Sequence, residues 1–228
     1  MSFVGGVGYS NIDLIYSGLD RLPDKGEEIF ARGFSMQFGG GIPATMINLS
    51  RLGVESRIIT FAGHDLFSEF VKKTLNSYPV KTVNLYKGNK MPVVLSSTLL
   101  YCGDRSFISY TDGMDLNDAV MDEVYENLKG AYVVDMHVGF LDVYKRLKKD
   151  GCIQIFDTGW EDDLTLEKYK DYLEIADYYI PNQKEAMKIT GTSSVEEAAD
   201  ILSEFFSDVT IKMDKEGCLL KNKDGIKI

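Results

Sequence analysis

From residue 115 onward the chain alternates between short apolar runs and stretches of helical spacing. That alternation constrains the fold more than any other feature. Asp118–Leu128 puts Val120, Val124 and Leu128 on one helical face, Ala131–Asp135 reads as a strand, and Phe140–Lys149 is helical with a basic end. Cys152–Phe156 is a strand stopping at Asp157-Thr158-Gly159-Trp160, and Leu166–Ile175 is helical. Asp177–Ile180 is a strand ending at Pro181, and Asn182–Ile189 is a short helix. Ser194–Phe206 is the clearest helix. Val195, Ala198, Ala199, Leu202, Phe205 and Phe206 form one stripe, and Ser194 with Glu197 forms a capping box. Asp208–Met213 is a further strand, followed by a hairpin of Cys218–Lys221, a turn at Asp224-Gly225, and Ile226-Lys227-Ile228. Parallel neighbours need long crossovers, usually helical, so the pattern predicts an α/β fold with a doubly wound, mainly parallel sheet and helices on both faces.

The N-terminal half is organised around Phe38–Asp65. Gly39, Gly40 and Gly41 precede a helix in which Ile42, Met46, Leu49 and Leu52 recur at helical spacing, with Pro43 in the first turn and Gly53 as the stop. Arg57–Ala62 is a buried strand, and Gly63-His64-Asp65 turns it into another helix. Glycines opening a helix make either a tight turn or a loop that lets a ligand reach backbone N–H groups at the positive end of the helix dipole. Before this unit, Ser2–Gly8 is an opening strand, and Asp13 follows its end. Asp13 is either a ligand-facing carboxylate at a strand's carboxyl end or an ordinary loop carboxylate or cap. Two β-rich segments flank the unit. One carries Pro23, Lys25-Gly26-Glu27 and the alternating run Ile29–Phe34; the other pairs Val93–Tyr101 with Ser106–Tyr110 through a turn at Gly103-Asp104-Arg105. Spanning about residues 12–37 and 92–110, they predict a small sheet apart from the main one. Arg105 either points a cation into a site or is a solvated hairpin arginine.

The formal net charge of −10 disfavours nucleic acid and anionic membrane as partners. Cys102, Cys152 and Cys218 are widely spaced, odd in number and set in apolar runs. They read as buried thiols of a reducing compartment rather than a disulfide framework or metal site. With two histidines, no signal peptide and no 18-residue apolar span, the expectation is a soluble cytoplasmic protein forming a single domain over residues 1–228.

The glycines, the helix to Gly53, and Gly63 with Asp65 resemble the N-terminal signature of the ribokinase-like (PfkB) carbohydrate kinases. Ala44 stands where that signature has asparagine, and Met46 where it has a small residue. Pro181-Asn182-Gln183-Lys184-Glu185 is similar to the family's N-x-x-E motif, and Thr210–Gly217 to its strand and glycine turn beside the nucleotide, with Asp214 in place of a glycine. The resemblance implies a sugar kinase that uses ATP as co-substrate and Mg²⁺. Asp13 and the Gly39–Gly41 loop would bind the sugar; Asn182, Glu185, Lys212 and Gly217 would serve the nucleotide, with Asn182 and Glu185 reaching the metal through water. Asn182 and Glu185 equally make an ordinary helix cap, and Lys212 is either a phosphate-facing cation or an exposed strand residue. The resemblance further implies a β lid used for homodimer contacts. No segment matches the family's second signature, a glycine-rich turn with its aspartate base and anion hole. The expectation is a C-terminally incomplete chain, itself inactive, with the base beyond Ile228. A catalytically silent sugar- and nucleotide-binding protein of the same fold is the alternative.

Overall fold

The computed structural model describes residues 2–227, which divide into two compact units, 6–120 and 2–5 with 121–227. The boundaries fall inside the first strand, β1 (Phe3–Val7), and the third helix, α3 (Asp118–Leu128).

The unit of residues 6–120 holds β2 (Asn11–Leu19), β3 (Gly33–Gly39), α1 (Gly41–Arg51), β4 (Ser56–Thr60), α2 (Leu66–Asn76), β5 (Lys81–Asn84), β6 (Val94–Tyr101) and β7 (Asp104–Tyr110). Helix α1 buries Ile42, Pro43, Met46, Ile47 and Ser50, and it ends where Gly53 turns the chain at φ 82°. Helix α2 is set by its cap. The Asp65 carboxylate accepts from the N–H groups of Phe67 and Ser68, both at 3.0 Å, and from Ser68 Oγ at 2.6 Å.

Strands β3-β2-β6-β7, in that order, form a sheet of their own, antiparallel except for the parallel pair β2/β6. Its register sorts the side chains, because partners across a ladder share a face. Asp13 lies level with Gln37 on one side and Ser96 on the other, and Ser96 lies level with Ser109. The opposite face carries Leu14, Tyr16, Met36, Phe34, Leu99 and Ile108, and the Tyr16 and Phe34 rings sit 5.4 Å apart. The hairpin turn is Cys102-Gly103, with φ of 50° and 79°, the positive pair a two-residue primed turn needs. Arg105 therefore belongs to a strand, opposite Leu100, and not to the turn the sequence predicts. The alternating run Ile29–Phe34 also differs from expectation, since strand pairing starts only at Gly33. Beyond it β2 shifts register between Tyr16 and Leu19, where Gly18 takes φ 72°.

In the other unit, β8 (Ala131–Met136), α4 (Leu141–Lys149), β9 (Ile153–Phe156), α5 (Leu166–Ile175) and β10 (Tyr178–Tyr179) alternate as expected. Beyond them lie α6 (Gln183–Thr190), α7 (Val195–Leu202), β11 (Val209–Lys212), β12 (Cys218–Asn222) and β13 (Gly225–Lys227). Val134, Phe140, Tyr144, Leu147 and Phe156 are fully buried, and the Phe156 ring stacks on Tyr172 at 5.2 Å. Helix α7 stops at Leu202, short of Phe206, because the N–H groups of Glu204 and Phe205 reach back three residues, to Ile201 and Leu202, and tighten the last turn. Its cap is half of a box. Ser194 accepts from Glu197 N–H, but the Glu197 carboxylate accepts from Ser193. Strand β11 does not extend the parallel sheet, as the alternation implied. It pairs with β12 and β13 in a three-stranded antiparallel sheet, because a hairpin follows it instead of a crossover helix.

The central sheet is mainly parallel, with β10-β9-β8 paired in parallel in this unit and β4-β5 in the unit of residues 6–120. Among the described residues no helix is long and apolar enough to cross a membrane. Of the three thiols only Cys152 is buried; contrary to expectation Cys102 is exposed because it lies in the hairpin turn, and Cys218 because its neighbour Leu219 takes the inward position of β12.

Asp65 gives the fold a testable dependence on acid. Its hydrogen bonds with Ser68 and backbone N–H groups outweigh burial and hold its carboxyl below the ordinary 3.8. A depressed folded value stabilises the native state fully above the unfolded value, and that contribution fades as pH falls through the folded one. Asp65→Ala is expected to lose about 1 kcal/mol in urea titration at pH 7, and less at pH 3.

Candidate functional site

The polar face of the four-stranded sheet presents Asp13. It stands within β2 rather than in the loop or cap position the sequence allowed, because Asn11–Leu19 pairs along its whole length with β3 and β6. The alternation is obscured in the sequence by Ile15, which shares the face of Asp13. Burial pushes the Asp13 carboxyl up, and the positive charge of Arg105 draws it partly back. Ser96 Oγ and Ser109 Oγ, level with Asp13, are hydrogen-bonded at 2.7 Å. The nearby Thr98 hydroxyl is buried without a partner. Three hydroxyl residues thus border one half-buried carboxylate, and of them only Ser109 is exposed; the carboxylate can accept from hydroxyl groups of a ligand.

The three glycines next to it differ in what they do. A Cβ on Gly39 would lie 2.5 Å from Asp13 Oδ2, so the missing side chain is the space the carboxylate occupies. Gly40 takes φ 103° as it caps α1, and a Cβ there would meet the Tyr9 carbonyl oxygen at 2.9 Å. Gly41 is the first helical residue, and a Cβ there would meet open space. Only the first two are required by the geometry.

The other unit gathers a second group of residues. Asn182 caps α6, its Oδ1 accepting from Glu185 N–H at 3.0 Å while Glu185 Oε2 accepts from Asn182 N–H at 2.9 Å. The capping reading of this motif is thus realised in full. Glu185 is buried, and burial together with the charge of Asp157 outweighs the Asn182 hydrogen bonds and Lys212, raising its carboxyl. Lys212 ends β11. Its N–H donates to the Pro181 carbonyl at 2.9 Å, a parallel bridge links it to Asn182, and its ammonium reaches Asp157 Oδ2 at 2.8 Å. Sequence reasoning did not connect Asp157 with this group. Its place just after a strand, like that of Asn182, was the available signal. In the turn beyond, Asp214 is held at φ 54° and Gly217 at φ 93°, and Gly217 N–H donates to the Asp214 carbonyl at 3.2 Å. Both are conformations that glycine adopts most freely, and Asp214 is exposed.

The family model described as pfkB family carbohydrate kinase matches residues 1–228. A Pyrococcus horikoshii protein named as a sugar kinase is 35% identical over 92 residues, a stretch that spans 38% of this chain and only 30% of that relative. The structure of Arabidopsis thaliana ribokinase complexed with ribose and ATP is similar at TM-score 0.76 and 21% identity, covering 98% of this chain and 76% of that one. Ribokinase from Giardia lamblia gives a TM-score of 0.82 at 17% identity, over 99% of this chain and 74% of that one. At these identities the likeness to solved structures is one of fold.

The unequal glycines predict unequal substitutions. Gly41→Ala should gain about 0.4–1 kcal/mol, because its backbone suits alanine and the unfolded chain loses freedom. Gly40→Ala should lose more than about 1 kcal/mol to its φ and the close carbonyl. Urea midpoints of the two variants check the opposite signs.

Proposed function

The chain belongs to the pfkB family of carbohydrate kinases, and from that premise we propose that it transfers the γ-phosphoryl group of ATP to a hydroxyl of a sugar or sugar derivative. The observation that carries this reading is the fit of Gly39 to Asp13, which leaves one half-buried carboxylate among serine and threonine hydroxyls. A carboxylate accepts from two sugar hydroxyls at once, and a charged acceptor discriminates strongly against ligands that lack them.

Asn182, Glu185, Lys212 and Gly217 serve the nucleotide in this reading. Mg²⁺ fits only through water. The capping box commits one Glu185 oxygen to Asn182 N–H, and the described residues offer no cluster of three acidic, histidine or cysteine ligands. That suits an ion which keeps several waters and neutralises phosphate charge when bound. Lys212 supplies a cation, and Gly217 lets the backbone turn beside it. No residue of this chain is assigned the role of base, since Asp157 is paired with Lys212 and Asp214 is exposed in its turn.

Residues 12–37 and 92–110 take the role of lid. A second copy docking on the lid's apolar face would cover Phe34 and Ile108, which are 61% and 69% exposed. The unpaired cysteines, two of them exposed, suit a reducing compartment such as the cytoplasm. A second reading, a binding protein without phosphotransfer, is favoured by the carboxylate of Asp214 in the glycine turn.

Calorimetric titration with a panel of sugars and with ATP tests the assignment. Asp13→Asn is expected to weaken sugar binding at least tenfold, at roughly 1.4 kcal/mol per decade, while ATP binding stays within about twofold. Equal loss of both ligands, or no loss for the sugar, would reject it. Phosphotransfer to any sugar of the panel by a protein that contains these residues would reject the silent binding protein.

A further inference from the structure

The pair formed by Lys212 and Asp157 joins residues at the carboxyl ends of two strands. Asp157 directly follows β9, and Lys212 is the last residue of β11. The lysine backbone is fixed twice, by its N–H bond to Pro181 and by the bridge to Asn182, so only its side chain can swing. Both side chains are about half exposed, 47% and 45%, and each makes its charged contact with the other. Such a pair is weak, worth less than about tenfold in an equilibrium, so a multivalent anion can displace one partner. Glu185 is no substitute partner, because its carboxylate is held in the capping box.

We propose that Asp157 is a positioning residue acting through Lys212, an internal stand-in for phosphate that holds the ammonium at the nucleotide site and must release it when a polyphosphate binds. The idea rests on the nucleotide-binding reading above. It accounts for how a site bordered by Asp157, Glu185 and Asp214 accepts an anion, since the cation is already in place and only changes partner. It also gives Asp157 a sign. As a competitor for Lys212, it lowers affinity for free polyphosphate, whereas a merely structural strut would raise it.

The test measures binding of metal-free ATP and of inorganic tripolyphosphate to the full chain, since a divalent cation would itself neutralise Asp157. Asp157→Asn is expected to tighten both about threefold to tenfold. Lys212→Met should weaken both, and the double variant should match Lys212→Met, because the competitor acts only through the lysine. Asp157→Glu should restore wild-type affinity. Weakened or unchanged binding by a folded Asp157→Asn, or tightening that persists without Lys212, overturns the proposal. If Asp157→Asn does not fold, the ¹³C carboxyl resonance of Asp157 in the wild type decides. It should move as tripolyphosphate saturates the protein, and a fixed resonance with ligand bound overturns the exchange. Folded protein that binds neither ligand in any form removes the nucleotide reading itself.

Discussion

A parallel strand cannot be followed at once by its neighbour; the chain must first travel back, and a helix is the crossover that satisfies its own backbone polar groups on the way. The rest of this molecule depends on that constraint. In β9-α5-β10 the return path makes the two strands run in the same direction, so Asp157 and Asn182 both follow strands that end at the same end of the sheet. Lys212 arrives there too, although β11 belongs to an antiparallel sheet. Its single parallel bridge to Asn182 continues the direction of β10 for one residue. The local chemistry is thus a by-product of chain reversal, with no long-range pairing of side chains needed to assemble it.

The four-stranded sheet works on a different constraint, the two-residue period of a pleated strand. Along β2, Asp13 faces one way while Ile12, Leu14 and Tyr16 face the other, and the partner strands repeat the separation. A sheet exposed in part on both sides can therefore hold a hydroxyl-rich surface and an apolar one only a strand's thickness apart. The space for the carboxylate comes from the neighbouring strand, whose Gly39 withholds a side chain where β3 hands over to α1.

Legibility in the sequence followed the strength of the periodic signal. The helices Asp118–Leu128 and Leu166–Ile175 were legible to the residue, because apolar positions three and four apart have no competing reading. The mainly parallel sheet followed from their alternation with strands. β2 was not legible, since Ile15 and Leu19 blur its alternation and Gly18 breaks its register. The turn of the hairpin was expected at Gly103-Asp104-Arg105 but starts one residue earlier and ends two earlier, because Cys102, a residue with no turn preference, takes the left-handed conformation beside Gly103. Of the site residues, Asn182 and Glu185 were legible as a cap from spacing alone. The link between Lys212 and Asp157 was not, because 55 residues separate them and only the fold makes them neighbours.

The shift of register at Gly18 also bears on how chains of this kind can change length. Inserting one residue between Asn11 and Tyr16 would turn every later side chain of β2 over, exchanging charged and greasy surfaces in a single step. Insertions beyond Gly18 carry no such penalty, because residues 20–32 run outside the ladder, fastened by exposed ion pairs of Arg21 with Glu27 and Arg32 with Asp20. Length variation among descendants should therefore collect in that loop, while the stretch carrying Asp13 drifts only by substitution.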